Sequence, residues 1–442
     1  MAAEDSWTSK APMQEAKGSL GVAVVNGKIY AIGGVGLIQY LSTNEEYDPV
    51  TDTWTFKEPM PTPRAYFGIA VYQNKIYVIG GTAERDSGWS PTGANVIYDP
   101  ATDTWETKAS MPTPRIGVQA SVVDGKIYLV GGNSSANEVY DPATDSWTTK
   151  APMPVAPGLT RGWSCASVVV DKKIHVIGAF PRSNSHQIYN TETDSWSFGA
   201  PAPSGYFAAA GATTGVMAPK RIYVFSIDSE FWPLGLPGFV HHVYDPANDS
   251  WTNGASMPTG RFNVGVAVVN DMLYVIGGYI PYIGTNKFRS AVNEQYTPFG
   301  YGTVPPDTTS PAISIVSPEN KTYTVNNVSL TFVVSEQASW IGYSLAGQAN
   351  ATITGNTALT GLSNGSYSLT VYAKDTSGNT GASETVYFSI EVPPPDPQPS
   401  EPFPITWIAV IVIIAVVGAA FLVYFVKVKK TTGKAEKQFM RE

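Results

Sequence analysis

Between residues 24 and 300, short apolar runs alternate with polar breaks on a beat of about 40 to 55 residues, a period that marks a repeat architecture. The unit opens with Val24-Val-Asn-Gly-Lys-Ile-Tyr-Ala-Ile-Gly-Gly34 and returns over residues 73–81, 122–132, 169–178 and 268–278. In each copy two apolar runs flank a two-residue break: Asn26-Gly27, Asn74-Lys75, Asp124-Gly125, Asp171-Lys172 and Asn270-Asp271. Such punctuation predicts tight β-hairpins. A third run ends at Tyr47, Tyr98, Tyr140, Tyr189 and Tyr244, and seven residues after each comes a tryptophan, at Trp54, Trp105, Trp147, Trp196 and Trp251. Each unit therefore reads as four strands. A lone four-stranded sheet leaves both faces exposed, so the units are expected to stack on one another.

The pattern is broken in two places. Gly178-Ala179 and Phe225-Ser226 stand where the other copies have Gly-Gly, which makes the fourth and fifth units degenerate. The last unit reaches Tyr296 with no Trp seven residues on, while the chain begins with an orphan fourth strand, Asp5-Ser-Trp-Thr-Ser-Lys10. The N-terminal strand is expected to complete the last unit and close a ring without a free edge.

The Gly-Gly doublet, the Tyr and Trp at fixed separation, and Met-Pro-Thr-Pro-Arg leading into the next unit resemble the kelch motif, over roughly residues 5 to 300. The resemblance implies an all-β fold, a six-bladed kelch β-propeller over residues 1–304 closed by the N-terminal strand. Residues 305–392 are rich in Ser, Thr and Asn, with alternating stretches such as Val328-Ser-Leu-Thr-Phe-Val-Val334. They resemble the Ig-like β-sandwich modules of prokaryotic, especially archaeal, surface proteins, through Ser339-Trp-Ile-Gly-Tyr-Ser-Leu345 and Ala373-Lys-Asp-Thr-Ser-Gly-Asn379. A spacer role is expected for that module. Asp375 to Asn379 reads as an Asx/Gly turn rather than a calcium loop.

Residues 393–404 hold seven prolines in twelve positions. They predict a polyproline stalk of about 37 Å at roughly 3.1 Å per residue. Ile405 to Val426 carries no charged side chain over 22 residues and is long enough for one transmembrane helix, with Trp407 near one end and Tyr424 and Phe425 near the other. Lys427, Lys429, Lys430, Lys434 and Lys437 follow it, so the tail, residues 427–442, is expected in the cytoplasm and the body outside the cell membrane. The first residues lack the regions of a signal peptide, so export implies a leader upstream; a cytoplasmic body on a tail anchor is the alternative. Sequons at Asn133, Asn248, Asn320, Asn327, Asn350 and Asn364 fit a glycosylated surface.

Charge and cysteine usage narrow the function. The net charge of −8 includes a basic tail, so the body is more acidic than the total, which argues against a nucleic-acid partner. Cys165 stands alone in an apolar run and reads as a buried strand residue; no disulfide, cysteine cluster or cofactor is implied.

Two groups of candidate binding residues remain, both on the face that carries the loops after the second strands. The links between units supply one basic residue each in five of six cases: Lys17, Arg64, Arg115, Arg161 and Arg261. The kelch resemblance implies that an Arg at this motif position can grip carboxylates; bracing of neighbouring blades through backbone carbonyls is the competing reading. The long loops, residues 82–94, 226–240 and 279–290, carry Arg85, Trp89, Phe231, Trp232, Tyr282 and Phe288, residue types that protein and sugar surfaces use. No catalytic or metal-binding residue is assigned. His241 and His242 are adjacent, and adjacent strand side chains point to opposite faces, so they do not converge on a metal. The sequence thus points to a membrane-anchored extracellular recognition or adhesion protein for a protein or glycan ligand. The alternative is an extracytoplasmic carbohydrate-active kelch enzyme, of the copper-oxidase or sugar-mutarotase type.

Overall fold

Two consecutive residues at positive φ reverse a chain in the sense that matches strand twist, and the hairpin breaks do this. Asn26 and Gly27 lie at φ 50° and 74°, and Asp171 and Lys172 at 48° and 62°. In the second repeat the turn falls on Gln73-Asn74, both at positive φ, one residue earlier than the sequence pattern predicts, because Lys75 already opens the next strand.

The computed structural model describes residues 3–439 except 84–89, 156–164, 180–182, 229–238, 281–287, 304–306, 337, 354 and 394–404. Among the described residues up to 300 there are six four-stranded antiparallel sheets and one two-stranded ribbon, Tyr279–Ile280 with Phe288–Arg289. Blade 1 runs Gly21–Val25, Lys28–Ile32, Asn44–Asp48 and Thr53–Lys57 from inside to outside. Blades 2, 3, 4 and 5 start at Gly68–Tyr72, Val118–Val123, Ala166–Val170 and Tyr206–Thr213. Blade 6 comprises Gly265–Val269, Met272–Ile276, Asn293–Thr297 and, in fourth place, Ser6–Lys10 from the chain's start. The six innermost strands touch in sequence, and that of blade 6 touches that of blade 1. This is the architecture of a β-propeller.

One set of bonds, repeated at every seam, explains the Tyr and Trp spacing. Tyr47 donates to Asp52 Oδ1 (2.6 Å), Asp52 accepts the N–H of Ala11 from the preceding blade (2.8 Å), and Trp54 Nε1 returns a bond to Ala11 O (2.8 Å). The same three bonds recur with Asp103, Asp145, Asp194 and Asp249. At the closing seam Tyr296 donates to Asp5 (2.7 Å), Asp5 accepts Ala255 N (2.6 Å), and Trp7 Nε1 reaches Ala255 O (2.9 Å). All six aspartates sit at φ between 47° and 56°, a conformation that Asp tolerates better than bulkier residues.

The Gly-Gly doublets make room for the links on either side of the blade, the first glycine facing the following link and the second the preceding one. A Cβ on Gly33 would lie 2.6 Å from Arg64 O, and one on Gly81 2.5 Å from Ala65 O. Blades 4 and 5 lack the doublet and instead lengthen their second strands, Lys173–Ala179 and Ile222–Asp228. A further seam bond was not visible in the Asn270-Asp271 turn. The Asp271 carboxylate is buried and accepts the N–H groups of Gly215, Val216, Met217 and Ala218 at 2.6–3.2 Å, tying a blade 5 loop to blade 6.

After the propeller, strands Ile313–Ser317, Val328–Val334 and Thr357–Leu359 form one sheet, and Thr322–Tyr323, Val386–Ile390, Gly365–Asp375, Ala338–Leu345 and Ala351–Ile353 lie in the other. Ile313, Leu330 and Leu359 from the first share a core with Leu369, Val371, Phe388 and Ile390 from the second. Asp375 accepts both the backbone N–H and the side-chain amide of Asn379 at 2.8 Å, which closes the turn between them. One helix, Ile405–Phe439, ends the chain. Its stretch Val410–Lys430 has a mean hydropathy of 2.7 and is exposed throughout, long and apolar enough to cross a membrane.

Candidate functional site

The link cations come first because they looked most like a ligand-binding rim. Lys17, Arg64, Arg115 and Arg261 are at most 1% exposed. Arg115 Nη1 donates to Gly131 O and Ala136 O, and Nη2 to Leu129 O and to Glu138 (2.8 Å). Arg261 makes the same bonds to Gly277 O, Val292 O, Val275 O and Glu294 (2.6 Å), and Lys17 reaches Ala31 O, Thr43 and Glu45 (2.8 Å). These four side chains brace the blade that follows them and do not form an open anion-seeking rim. Their carbonyl acceptors lie in the second strand, at its Gly-Gly end and just before the third strand, so one long cation ties these segments of a blade together. Arg161 and the loop residues Arg85, Trp89, Phe231, Trp232 and Tyr282 lie outside the described residues; Phe288 is 53% exposed.

Two residues beyond each brace the chain does reach the axis. Ser19, Tyr66, Gly117 and Asn263 hold φ of 54°, 59°, 75° and 48°. Their backbones hand bonds around the ring: Ser19 N to Asn263 O (3.0 Å), Tyr66 N to Ser19 O (3.2 Å) and Gly117 N to Tyr66 O (2.7 Å). A left-handed backbone is unusual for tyrosine, and such strain gathers at functional places. Together with Gln119, Ser167, Leu20, Phe67 and Val264 these residues line an axial cavity of about 190 Å³. Beside it the hydroxyls of Ser19, Tyr66 and the buried Tyr279 gather, with Ser19 Oγ 3.4 Å from Tyr279 and the Arg289 guanidinium 5.7 Å from the centre of the Tyr279 ring. Burial pushes the pKa of Tyr66 and of Tyr279 up, so both phenols stay protonated and can donate. Sequence reasoning missed this cluster. The signal was positional, two residues after each link cation, where residue types vary most between repeats.

The four histidines are buried in blades 4 and 5. His186 and His241 occupy the place of Asn44, Asn95, Asn137 and Asn293, and like those amides they bond a carbonyl at the end of the fourth strand, Ala200 O or Ala255 O. His241 stacks on Phe225, while His242 Nδ1 shares a hydrogen bond of 2.7 Å with the Tyr206 hydroxyl. His175 Nδ1 and His186 Nε2 share a hydrogen bond of 2.8 Å. Cys165 is enclosed, and burial pushes its thiol up to about 12, so it is unreactive. Among the described residues one acidic group gathers, Asp307, Glu336 and Asp375, with both Asp375 oxygens already taken by Asn379.

The buried imidazoles predict an acid limit to stability. Desolvation lowers the pKa of His175 to about 3 and of His241 to about 4, and lowers that of His186. Their contribution is complete above the unfolded value near 6.5. It is lost as pH falls toward the folded values, because the unfolded chain then binds protons that the folded chain refuses, at up to about 1.4 kcal/mol per pH unit for each group. A series of melting temperatures from pH 7 to pH 4 is expected to fall steadily. His186→Asn, which installs the residue found in four sister blades, should flatten that fall; an unchanged slope would clear the histidine pair of responsibility.

Comparison with known proteins follows the repeats. The kelch motif family matches residues 17–61, 63–112 and 114–154. The chain is 33% identical over 129 residues to Kelch-like protein terF of Aspergillus terreus, covering 29% of this chain and 18% of that protein. It is 26% identical over 200 residues to Kelch-like protein 15 of Danio rerio, 41% of this chain and 33% of that one. Over 96 residues it is 38% identical to Halomucin of Haloquadratum walsbyi, 20% of this chain and 1% of the other. The matches thus span a third or less of these relatives. The solved structure titled "Structure of YjhT" superposes with a TM-score of 0.52 at 18% identity, over 63% of this chain and 95% of that one, which shows a shared fold.

Proposed function

We propose that this chain, a kelch-repeat protein, is a membrane-anchored extracellular recognition protein that takes a protein or glycan partner at the mouth of a six-bladed propeller. The observation that carries the reading is the hydroxyl cluster of Ser19, Tyr66 and Tyr279 beside an axial cavity. Kelch repeats serve protein–protein interaction, and the cluster supplies what such a contact needs: the half-buried ring of Tyr66, hydroxyl groups, and a backbone fixed by the axial bonds. An Ig-like sandwich would then act as a spacer and the polyproline stretch as a stalk. Display outside the cell draws support from the apolar helix with its lysine-rich flank and from the similarity to a protein named as a mucin.

Full-length protein in lipid nanodiscs, screened on glycan and surface-protein arrays, is expected to capture a ligand saturably. The double substitution Tyr66→Phe with Tyr279→Phe should weaken that capture at least roughly tenfold, the value of one or two lost buried hydrogen bonds. Equal capture by both proteins would move the site to the outer loops. Protease added to intact cells should digest the body and spare the lysine-rich tail; the opposite pattern would end the surface reading.

A further inference from the structure

The six Asn-X-Ser/Thr sequons are not equally open to modification. Glycan transfer consumes one N–H of the asparagine amide and needs both that amide and the hydroxyl two residues on to face solvent. Asn133 accepts the N–H of Ile116 (3.3 Å), Asn248 donates to Asp245 (2.7 Å), and Asn327 accepts the N–H of Gly361 (3.0 Å). Asn364 accepts the N–H of Val392 (2.8 Å) and donates to its carbonyl (3.2 Å). Asn350 is exposed, but the hydroxyl of its sequon, Thr352, accepts the indole N–H of Trp340 (3.0 Å). Asn320 and Thr322 are both exposed, and neither side chain makes a hydrogen bond among the described residues.

Asn320 also stands at the rim of an open groove of about 500 Å³ on the outer face of the sandwich, a size suited to a small organic ligand. Thr322–Tyr323 pairs with Val386–Ile390, which pairs in turn with Gly365–Asp375, and this register sets Thr322, Ser389 and Ser366 in one row and Tyr387 with Ser368 in the row beside it. Alternation sends Phe388 and Ile390 into the core and leaves Tyr387 61% exposed. An exposed aromatic ring among serine hydroxyls has the chemistry that receives a sugar. The ring covers the apolar C–H face, and the hydroxyls pair with those of the sugar.

We propose that Asn320 carries an N-linked glycan whose first sugars lie in this groove, against the Tyr387 ring and the hydroxyls of Ser366, Ser368 and Ser389. The bond forms between the Asn320 amide nitrogen and the anomeric carbon of a sugar carried as a glycosyl phosphate. The anomeric C–O bond breaks, the phosphate leaves with the electron pair, and the amide gives up one proton. Because the sugar is tethered at the rim, seating it is an intramolecular event, and a shallow groove suffices. The seated sugar covers Thr322–Tyr323, the strand at the edge of that sheet, and so blunts an open edge. This assignment rests on display of the body outside the cell.

Full-length protein extracted from the membranes of its own cells would be digested and its glycopeptides mapped by mass spectrometry, with the Asn320 peptide expected to carry a glycan. Seating is read by a double-mutant cycle. In the glycosylated protein Asn320→Gln and Tyr387→Ala should each lower the melting temperature of the sandwich by roughly 4 °C, and both together by no more than one alone. Both side chains are exposed, so neither change removes core packing. In protein made by a host without N-glycosylation the coupling should vanish. A bare Asn320 in a body that protease digests on intact cells overturns this proposal and leaves the display reading standing, whereas a bare Asn320 in a protected body overturns both. A modified Asn320 whose effect adds to that of Tyr387→Ala, or the same coupling without the glycan, overturns the seating of the sugar.

Discussion

Deleting residues 1–10 is expected to abolish cooperative unfolding of the monomer and to leave a chain that self-associates. Ser6–Lys10 is the fourth strand of a blade whose other three strands come from the far end of the propeller, so its loss uncovers the whole outer edge of Asn293–Thr297. An unpaired edge of that length recruits other chains. It also removes Asp5 and Trp7, and with them the acceptor for Tyr296, the two bonds to Ala255 and a tilted ring contact of 5.0 Å between Trp7 and Tyr296. Within the intact chain, Trp7→Ala isolates part of this effect and should cost about 3–5 kcal/mol, the usual range for a large aromatic deletion. Trp105→Ala, at the same station in blade 2, is the internal control. Calorimetry with light scattering checks both. If the truncated chain melts as a monomer near the native temperature, the ring does not depend on its closing strand.

Glu138→Ala is expected to lose about 3–5 kcal/mol in urea unfolding, because it strands the Arg115 guanidinium in a fully buried place without its counter-ion. Glu138→Gln keeps a hydrogen-bond acceptor and should lose less. Paired replacement of Arg115 and Glu138 by Met and Leu removes both charges and should recover much of the loss. A Glu138→Ala change below about 1 kcal/mol would show that the backbone carbonyls alone satisfy the arginine, since removing the partner of a buried charge ordinarily costs several times that amount.

The repeat was legible because each of its residues has a fixed structural duty. The Tyr, Asp and Trp stations answer to a bond set that recurs at every seam, and the orphan Asp5-Ser-Trp7 could be placed in blade 6 because it carried two members of that set. Alternation marked strands such as Val328–Val334 after the propeller, but not their pairing. The candidate site was legible only in part, for a reason that the braces make plain. A positive charge repeated at one station looks like a rim in a string of letters, whereas its exposure depends on whether the carbonyls of Gly131 or Gly277, 16 residues further along the chain, come back to cover it. Ser19, Tyr66 and Asn263 carry no shared residue type, so no pattern flagged them; their common property is a left-handed backbone. The His175–His186 bond escaped for a related reason, since the two residues sit on neighbouring strands whose register only the fold supplies.

The way the ring closes also decides how the domain answers to force. The chain leaves the propeller through Asn293–Thr297, the strand that leads on to the sandwich and the apolar helix, and that strand is clasped on one side by Met272–Ile276 and on the other by Ser6–Lys10. A pull from the C-terminal side therefore enters between two antiparallel ladders and loads their hydrogen bonds together along the strand axis, rather than opening them one at a time. The seam that looks weakest by connectivity is thus the one through which tension is spread over both ends of the chain.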